Sequence, residues 1–175
     1  MLIDAVEFVN EDLYLTFSIR FYGNVRGPVW KVTVSGVEEE LIKRSWSQNI
    51  GLYTEHPLLL EYTDPYRELY LNGTTEDALD LFIDINRAVS QLSNDSEDIS
   101  RYLFSYSSIA QLSKQGHGLF ASGPKTILTL HAECLSRYGI KPIFIGDKDR
   151  GSNELKLFKL GYSYVIGRDF LFEKL

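Results

Sequence analysis

The segment from Leu13 to Tyr22 alternates strictly between apolar and more polar side chains, and this pattern constrains the fold more than any other stretch. One side of the pattern is wholly apolar and consists of Leu13, Leu15, Phe17, Ile19 and Phe21. A period of two residues is typical of a strand that has one buried face and one wet face. The pattern therefore predicts a sheet that is covered on one side.

Strand patterns also precede and follow this segment. Residues 3–9 are joined to it by a short polar connection, and residues 30–35 alternate after a loop that contains Gly23 and Gly27. Strands joined this briefly form an antiparallel meander. Residues 58–62 and 68–71 flank a turn at Pro65, which predicts a second hairpin. Further strands are predicted at residues 141–145, 155–160 and 162–166.

The first predicted helix begins at Thr74, whose hydroxyl can cap it while Asp77 occupies the N3 position. At the helical period one side is charged and the other is apolar. The charged arc consists of Glu76, Asp77, Asp80, Asp84 and Arg87. Leu79 and Ile83 lie off the apolar stripe, which leaves room for a second contact on this flank of the helix.

The second predicted helix runs from Pro124 to Tyr138. Proline suits the first helical position, and Gly139 follows where a left-handed residue ends many helices. At 175 residues the chain fits a single domain over residues 1–175. The patterns together predict an α+β fold, with an antiparallel sheet, two main helices packed on one face and a smaller C-terminal strand unit.

Charge is distributed unevenly along a chain whose net charge is −6. Residues 1–100 contain 18 acidic and 7 basic residues, whereas residues 101–175 contain 6 acidic and 11 basic residues. Concentrated carboxylates attract a basic partner and repel polyanions such as nucleic acid. The first hundred residues therefore predict an acidic surface for a basic protein and no direct binding of nucleic acid.

The sequence also predicts the compartment. Acidic residues occur at positions 4 and 7, where a secretory signal would need a basic region and then an apolar one. The longest aliphatic runs, such as residues 58–60, are far shorter than the roughly 20 residues that span a bilayer. The one cysteine, Cys134, allows no intrachain disulfide. We therefore expect a cytoplasmic protein that does not enter a membrane.

The segment from Gly118 to Thr126 comes close to a phosphate-binding loop, since deleting Pro124 would complete the pattern G-x4-G-K-T. Proline removes one of the backbone N–H groups that such a loop uses, so a glycine turn into a Pro-capped helix is the simpler interpretation. The loop from Gly116 to Thr126, with Lys125, remains the basis of an alternative function. In that alternative the chain is a small phosphate- or nucleotide-binding domain or enzyme.

The histidines give no clear catalytic or metal centre. His131 and Cys134 share the apolar face of the second helix, where both are expected in the core. His56 precedes a proline, and His117 lies between two glycines in a loop, where functional residues concentrate. The chain has no four-ligand zinc spacing, and the segment that starts at Asp147 is not a complete calcium loop. The sequence thus predicts no catalytic residue, no metal and no cofactor.

Two stretches resemble a family of small bacterial proteins. The first is His56-Pro57-Leu58-Leu59-Leu60 with Asp64-Pro65 and Glu68-Leu69-Tyr70-Leu71-Asn72-Gly73, and the second is Gly116-His117-Gly118-Leu119-Phe120-Ala121-Ser122-Gly123-Pro124. Over residues 56–139 the chain is similar to immunity proteins of polymorphic toxin and contact-dependent growth inhibition systems. The resemblance implies a protein that binds and neutralises a cognate toxin domain in the cytoplasm. It implies no site residues, because the toxin-facing surface differs from one pair to the next.

Charge and resemblance together favour a non-enzymatic immunity protein that binds a cognate basic toxin. A nuclease is favoured as the toxin because it must be positively charged to hold its substrate. The predicted partner-binding residues are Glu76, Asp77, Asp80, Asp84, Asp95, Glu97 and Asp98. Residues 38–40 form a further acidic cluster. A scaffold or assembly subunit is a third alternative, and the sequence does not indicate the oligomeric state.

Overall fold

The computed structural model describes residues 1–20, 26–43, 45–92, 105–148 and 154–175. The chain divides into two compact units. The terminal unit comprises Met1–Leu59 and Asn153–Leu175, and the central unit comprises Leu60–Ser152. Helices and strands occur together, and the strand pairs in the described ranges are antiparallel, so the predicted α+β class is confirmed.

The strands, in chain order, are β1 Leu2–Val9, β2 Asp12–Arg20, β3 Arg26–Ser35, β4 Glu39–Leu41, β5 Ile50–Tyr53, β6 Tyr66–Asn72, β7 His117–Pro124, β8 Lys141–Lys148, β9 Lys156–Leu160, β10 Ser163–Gly167 and β11 Asp169–Lys174. The helices are α1 Leu60–Thr63, α2 Ala78–Leu92, α3 Tyr106–Gln115 and α4 Lys125–Arg137, and a 3-10 turn spans Pro57–Leu59. Among the described residues the strands form three sheets, with the orders β1-β2-β3-β11, β4-β10-β9-β5 and β7-β6-β8.

The predicted meander is confirmed in the terminal unit. β2 pairs with β1 on one side and with β3 on the other. The side chains that β2 buries include Leu13, Leu15 and Phe17. Asn10 (φ 51°) and Glu11 (φ 71°) connect β1 to β2, and positive φ at both central residues suits the twist of a two-residue hairpin. Phe158 of β9 and Val165 of β10 belong to the same core as the apolar face of β2.

The C-terminal strands do not form the smaller separate unit that the sequence suggests. β9 and β10 are the two inner strands of the second sheet, where they pair with β5 and β4. β11, which the sequence pattern does not predict, pairs with β3 and completes the first sheet. Asp169 lies opposite Ser35 in that pairing. Contacts between positions so distant leave no trace in the local pattern of either strand.

In the central unit α4 packs against β6, β7 and β8, while α2 packs on α3 and α4. The buried side chains of this core include Leu69, Leu71, Leu81, Ile85, Ile109, Phe120, Leu128 and Leu135. α4 is confirmed as a helix that ends just before Gly139 (φ 74°), but it begins at Lys125, so Pro124 is its N-cap and not its first residue. α2 is confirmed as a helix, but it begins at Ala78 rather than beside the predicted cap Thr74.

The strand predicted at residues 58–62 is wrong, because these residues lie in the 3-10 turn and in α1. Leu58 and Leu59 are both buried, and a short apolar run has the same composition in a strand and in a helical turn. β6 pairs with β7 and β8, so the second hairpin is also wrong. No helix in the described part of the chain is long and apolar enough to cross a membrane.

Candidate functional site

The start of α2 carries two of the predicted acidic residues. Glu76 and Asp77 immediately precede the helix, and both are exposed. The Thr75 hydroxyl accepts a hydrogen bond from the Asp77 N–H at 3.2 Å, and the Asp77 carbonyl accepts one from Leu81 N–H at 3.0 Å. The positive end of the helix dipole favours carboxylates at this position. The local sequence therefore explains why negative charge gathers here.

α2 presents apolar side chains on two sides. Ala78, Leu81, Ile85 and Val89 are buried. On the other side, Leu79 is 54% exposed and Ile83 is 39% exposed. Positions three and four apart are neighbours on a helix surface. Leu79, Asp80 and Ile83 are therefore neighbours on α2, and the exposed Glu76 and Asp77 immediately precede the helix in the chain; we call these five residues the α2 surface.

The α2 surface combines two features of protein-binding sites. Leu79 and Ile83 expose large aliphatic side chains side by side, and the carboxylate of Asp80, which is also exposed, lies next to them. Apolar contacts that lose their water stabilise a complex, while charges at the rim guide the approach of a partner. Leu79 and Ile83 are thus exposed on the flank of α2 where the sequence allows a second contact.

Asp84 is one helical turn further along and makes contacts within the central unit. Its Oδ2 accepts a hydrogen bond from the Tyr138 hydroxyl at 3.2 Å and lies 3.5 Å from Arg137 Nη1. Its Oδ1 accepts one from Arg87 Nη1 at 3.2 Å. The side chain is 23% exposed. Asp84 therefore joins α2 to α4, and its charge is largely compensated by its neighbours.

The hydrogen bond to Asp84 also changes the pKa of Tyr138. Burial raises the pKa of Tyr138 above its ordinary value of 10.0, and the hydrogen bond to Asp84 raises it further. The neutral hydroxyl that donates to Asp84 is thus the favoured form at any pH near neutrality. The remaining predicted partner-binding residues, Asp95, Glu97 and Asp98, lie outside the described residues.

Two of the three glutamates at residues 38–40 make side-chain contacts within the terminal unit. Glu39 Oε1 accepts a hydrogen bond from the Tyr164 hydroxyl at 2.5 Å. Glu38 Oε1 lies 3.6 Å from Arg168 Nη2. Glu40 is exposed. Glu39 therefore joins β4 to β10, and Glu38 lies close to the Arg168 guanidinium.

The charge division along the sequence does not become a division between the units. The terminal unit contains 11 acidic and nine basic residues, a net charge of −2. The central unit contains 13 acidic and nine basic residues, a net charge of −4. The basic residues after position 153 belong to the same unit as residues 1–59. Local clusters such as the α2 surface, and not a whole half of the chain, carry the negative potential.

The segment from Gly116 to Thr126 is not the loop that the sequence suggests. Gly116 ends α3, and the residues from His117 to Pro124 form β7, which pairs with β6. At the start of α4, the Thr126 N–H donates to Asp64 Oδ2. The Lys125 N–H donates to the Pro65 carbonyl at 2.9 Å. Groups of the chain itself therefore take the N–H donors that a bound phosphate would use.

His131 and His56 make contacts within the fold. His131 is buried, and its ring meets the Phe120 ring edge-on with centroids 5.9 Å apart. Cys134 is buried and accepts a hydrogen bond from Arg137 Nη2 at 3.0 Å. His56 Nδ1 accepts one from the Leu58 N–H at 3.2 Å. Within the described ranges, no three His, Cys, Asp or Glu side chains gather in a way that could hold a metal ion.

Comparisons of the chain with protein-family models, with curated proteins and with solved structures find no match.

Proposed function

We propose that the chain is a non-enzymatic immunity protein that acts in the cytoplasm, where it binds a cognate basic toxin domain and blocks its active cleft. The α2 surface is the observation that carries this proposal. It places exposed Leu79 and Ile83 beside the carboxylates of Glu76, Asp77 and Asp80. Such a surface offers a basic protein both a contact area and an attractive potential.

A nuclease is the toxin that this chemistry fits best. A nuclease holds the phosphates of its substrate with Lys and Arg, so its cleft is positively charged. The three exposed carboxylates of the α2 surface can occupy that cleft in place of phosphates. Leu79 and Ile83 would then exclude water around the ion pairs, which strengthens them.

We exclude Asp84, which the sequence predicts to be a partner-binding residue, from the proposed partner-binding site. Asp84 is held by Tyr138, Arg137 and Arg87, so it supports α2 from within the central unit. Glu76, which precedes α2, and Asp80, in its first turn, are both exposed. We therefore assign partner binding to the α2 surface and a supporting role to Asp84.

The alternative, in which the chain binds a phosphate or a nucleotide, has less support than the immunity function. It depends on free N–H donors at the start of α4, where Asp64 and Pro65 already accept the N–H groups of Thr126 and Lys125. No contact in the described residues favours a second function over protein binding.

A growth assay tests the proposal. A candidate toxin domain, sought among the products of the genes that flank this one, is expressed in a bacterial host together with the chain, and survival is measured. The wild-type chain should protect the host, and Glu76→Lys/Asp80→Lys should not. The control Glu40→Lys/Glu55→Lys makes the same change in net charge on exposed residues of the terminal unit and should still protect. Equal protection by both double variants would contradict the proposal.

A further inference from the structure

Tyr106 is the first residue of α3, and its side chain is 48% exposed. Ser105 precedes the helix, and its hydroxyl accepts a hydrogen bond from the Ser108 N–H at 3.3 Å. A serine cap of this kind fixes where a helix begins, and with it the backbone of the residue that follows. α3 therefore begins with an aromatic ring whose backbone is held in place and whose surface is open to solvent.

The Tyr106 ring lies against α2. It meets the Phe82 ring nearly edge-on, with centroids 5.9 Å apart and the two ring planes at 75°. This is one of the favourable arrangements of an aromatic pair. Phe82 in turn packs against the buried core of the central unit. The contact therefore supports the Tyr106 ring from the core, while the exposed part of the ring remains available to a partner.

The contact with Phe82 places Tyr106 on the flank of α2 that exposes Leu79 and Ile83. Phe82 and Leu79 are three positions apart, and Leu79 and Ile83 are four apart, so these side chains are successive neighbours around the helix. Asp84, which contacts α4, lies on the opposite flank, since successive residues turn by about 100°. α3 and α4 therefore approach α2 from different sides, and Tyr106 extends the exposed aliphatic pair.

The acidic groups border this apolar row on the side away from Phe82. Asp80 is three positions before Ile83, and its carboxylate is exposed. Arg87, one turn after Ile83, is paired with Asp84 at 3.2 Å, so the border keeps its acidic character. A complementary segment therefore carries apolar side chains along one side and basic side chains along the next. An amphipathic helix divides its side chains in this way.

We propose that Tyr106 anchors the partner on the α2 surface, and that the segment bound there is a basic amphipathic helix of the toxin domain. This inference rests on the proposed function, because it names the part of the toxin that the same surface binds. Apolar side chains of the helix cover Tyr106, Leu79 and Ile83, while its Lys and Arg side chains lie beside Asp80. Tyrosine suits the role of an anchor, since its ring offers a large contact area and has few rotatable bonds to fix.

Two labelled helical peptides test the proposal by fluorescence anisotropy. The leucine peptide is built of repeated Ala-Arg-Leu-Ala units, and the alanine peptide has Ala in place of each Leu, which keeps the charge and the helix but removes the apolar row. At low salt the wild-type chain should bind the leucine peptide roughly tenfold more tightly than the alanine peptide. Tyr106→Ala should remove most of this advantage. It should still bind the alanine peptide within about twofold of wild type, because the carboxylates that attract it are unchanged.

Two further variants are controls, and circular dichroism and thermal melting confirm that each variant is folded. Tyr106→Phe keeps the ring, and Tyr162→Ala removes a tyrosine that is 57% exposed in the terminal unit. Both should keep the advantage of the leucine peptide. Equal affinity of wild type for the two peptides, or the full advantage in folded Tyr106→Ala, would overturn the proposal. So would a concentration-dependent dimer in sedimentation velocity that Tyr106→Ala removes, since a second copy would then cover this surface.

The growth assay separates this inference from the proposed function. Tyr106→Ala should protect the host less well than wild type, because the toxin domain dissociates from it faster. If protection depends on Glu76 and Asp80 but Tyr106→Ala protects fully, the proposed function stands and the inference fails. If the chain neutralises no candidate toxin while the two peptides bind as expected, the proposed function fails and the assignment of Tyr106 as an anchor stands.

Discussion

Tyr138 donates its hydroxyl hydrogen to Asp84 Oδ2 over 3.2 Å and so joins α4 to α2. Arg137 and Arg87 approach the same carboxylate. The acidic arc that a helical pattern reveals in α2 thus has two roles. Asp84 stabilises the helix pair, while Glu76 and Asp80 remain available to a partner.

The contact between Tyr138 and Asp84 is expected to stabilise the central unit. Tyr138→Phe removes the hydrogen bond and should lower the free energy of unfolding by about 1 kcal/mol. A double-mutant cycle with Asp84→Asn, measured by urea denaturation, isolates the coupling between the two side chains. Additive effects of the two substitutions would contradict the contact.

The same contact predicts a dependence on alkaline pH. Burial, the bond to Asp84 and the nearby Asp80 raise the pKa of Tyr138 in the folded chain, whereas its ordinary value is 10.0. The stabilising effect is therefore complete below pH 10.0 and is lost as the pH rises through the folded-state pKa. Wild type should lose stability more steeply than Tyr138→Phe above pH 10.0. Parallel curves of unfolding free energy against pH would contradict this expectation.

Asp64 is expected to act as the cap of α4. Pro124 precedes the helix and provides no side-chain cap, whereas the Asp64 carboxylate accepts the Thr126 N–H. Asp64→Ala should lower the free energy of unfolding by about 1 kcal/mol, the usual effect of losing a cap. Asp64→Asn keeps an oxygen acceptor and should lose less. Chemical denaturation of the two variants measures the difference, and equal losses would mean that the acceptor oxygen is not the cause.

The two sides of α2 are expected to respond differently to truncation. Leu81→Ala and Ile85→Ala remove fully buried side chains and should each cost about 2–5 kcal/mol of stability. Leu79→Ala and Ile83→Ala alter exposed side chains and should change stability by no more than about 0.5 kcal/mol. The exposed pair should instead speed dissociation of a bound toxin domain. Thermal melting and surface plasmon resonance separate these effects.

Local patterns in the sequence predict much of the fold. The alternation after Leu13 gives β2 and the meander around it, because a half-buried strand imposes a period of two. Pro124 and Gly139 mark the two ends of α4 through backbone preferences that need no tertiary contact. The apolar stripe of α2 predicts which of its residues are buried. In each case one residue's own chemistry, or its nearest neighbours, decides the structure.

What depends on distant contacts could not be predicted. β11 is recognisable as a strand only through its pairing with β3, and residues 117–124 form a strand because β6 lies beside them. The role of Asp84 depends on Tyr138 and Arg137 in another helix. The charge division along the chain disappears because residues 153–175 and 1–59 belong to one unit. The exposed Leu79 and Ile83 could be suspected from their position off the apolar stripe, but the contact of Tyr106 with Phe82 could not.

The most direct test of the account is the rate at which the chain associates with the cognate toxin domain, measured by stopped flow across a series of salt concentrations. For wild type the rate should fall steeply as salt rises, because the carboxylates of the α2 surface attract the basic partner over distances that salt screens. Glu76→Lys/Asp80→Lys should associate roughly tenfold more slowly at low salt, while Glu40→Lys/Glu55→Lys should remain close to wild type. An association rate that both double variants change equally, or that neither changes, would contradict the account.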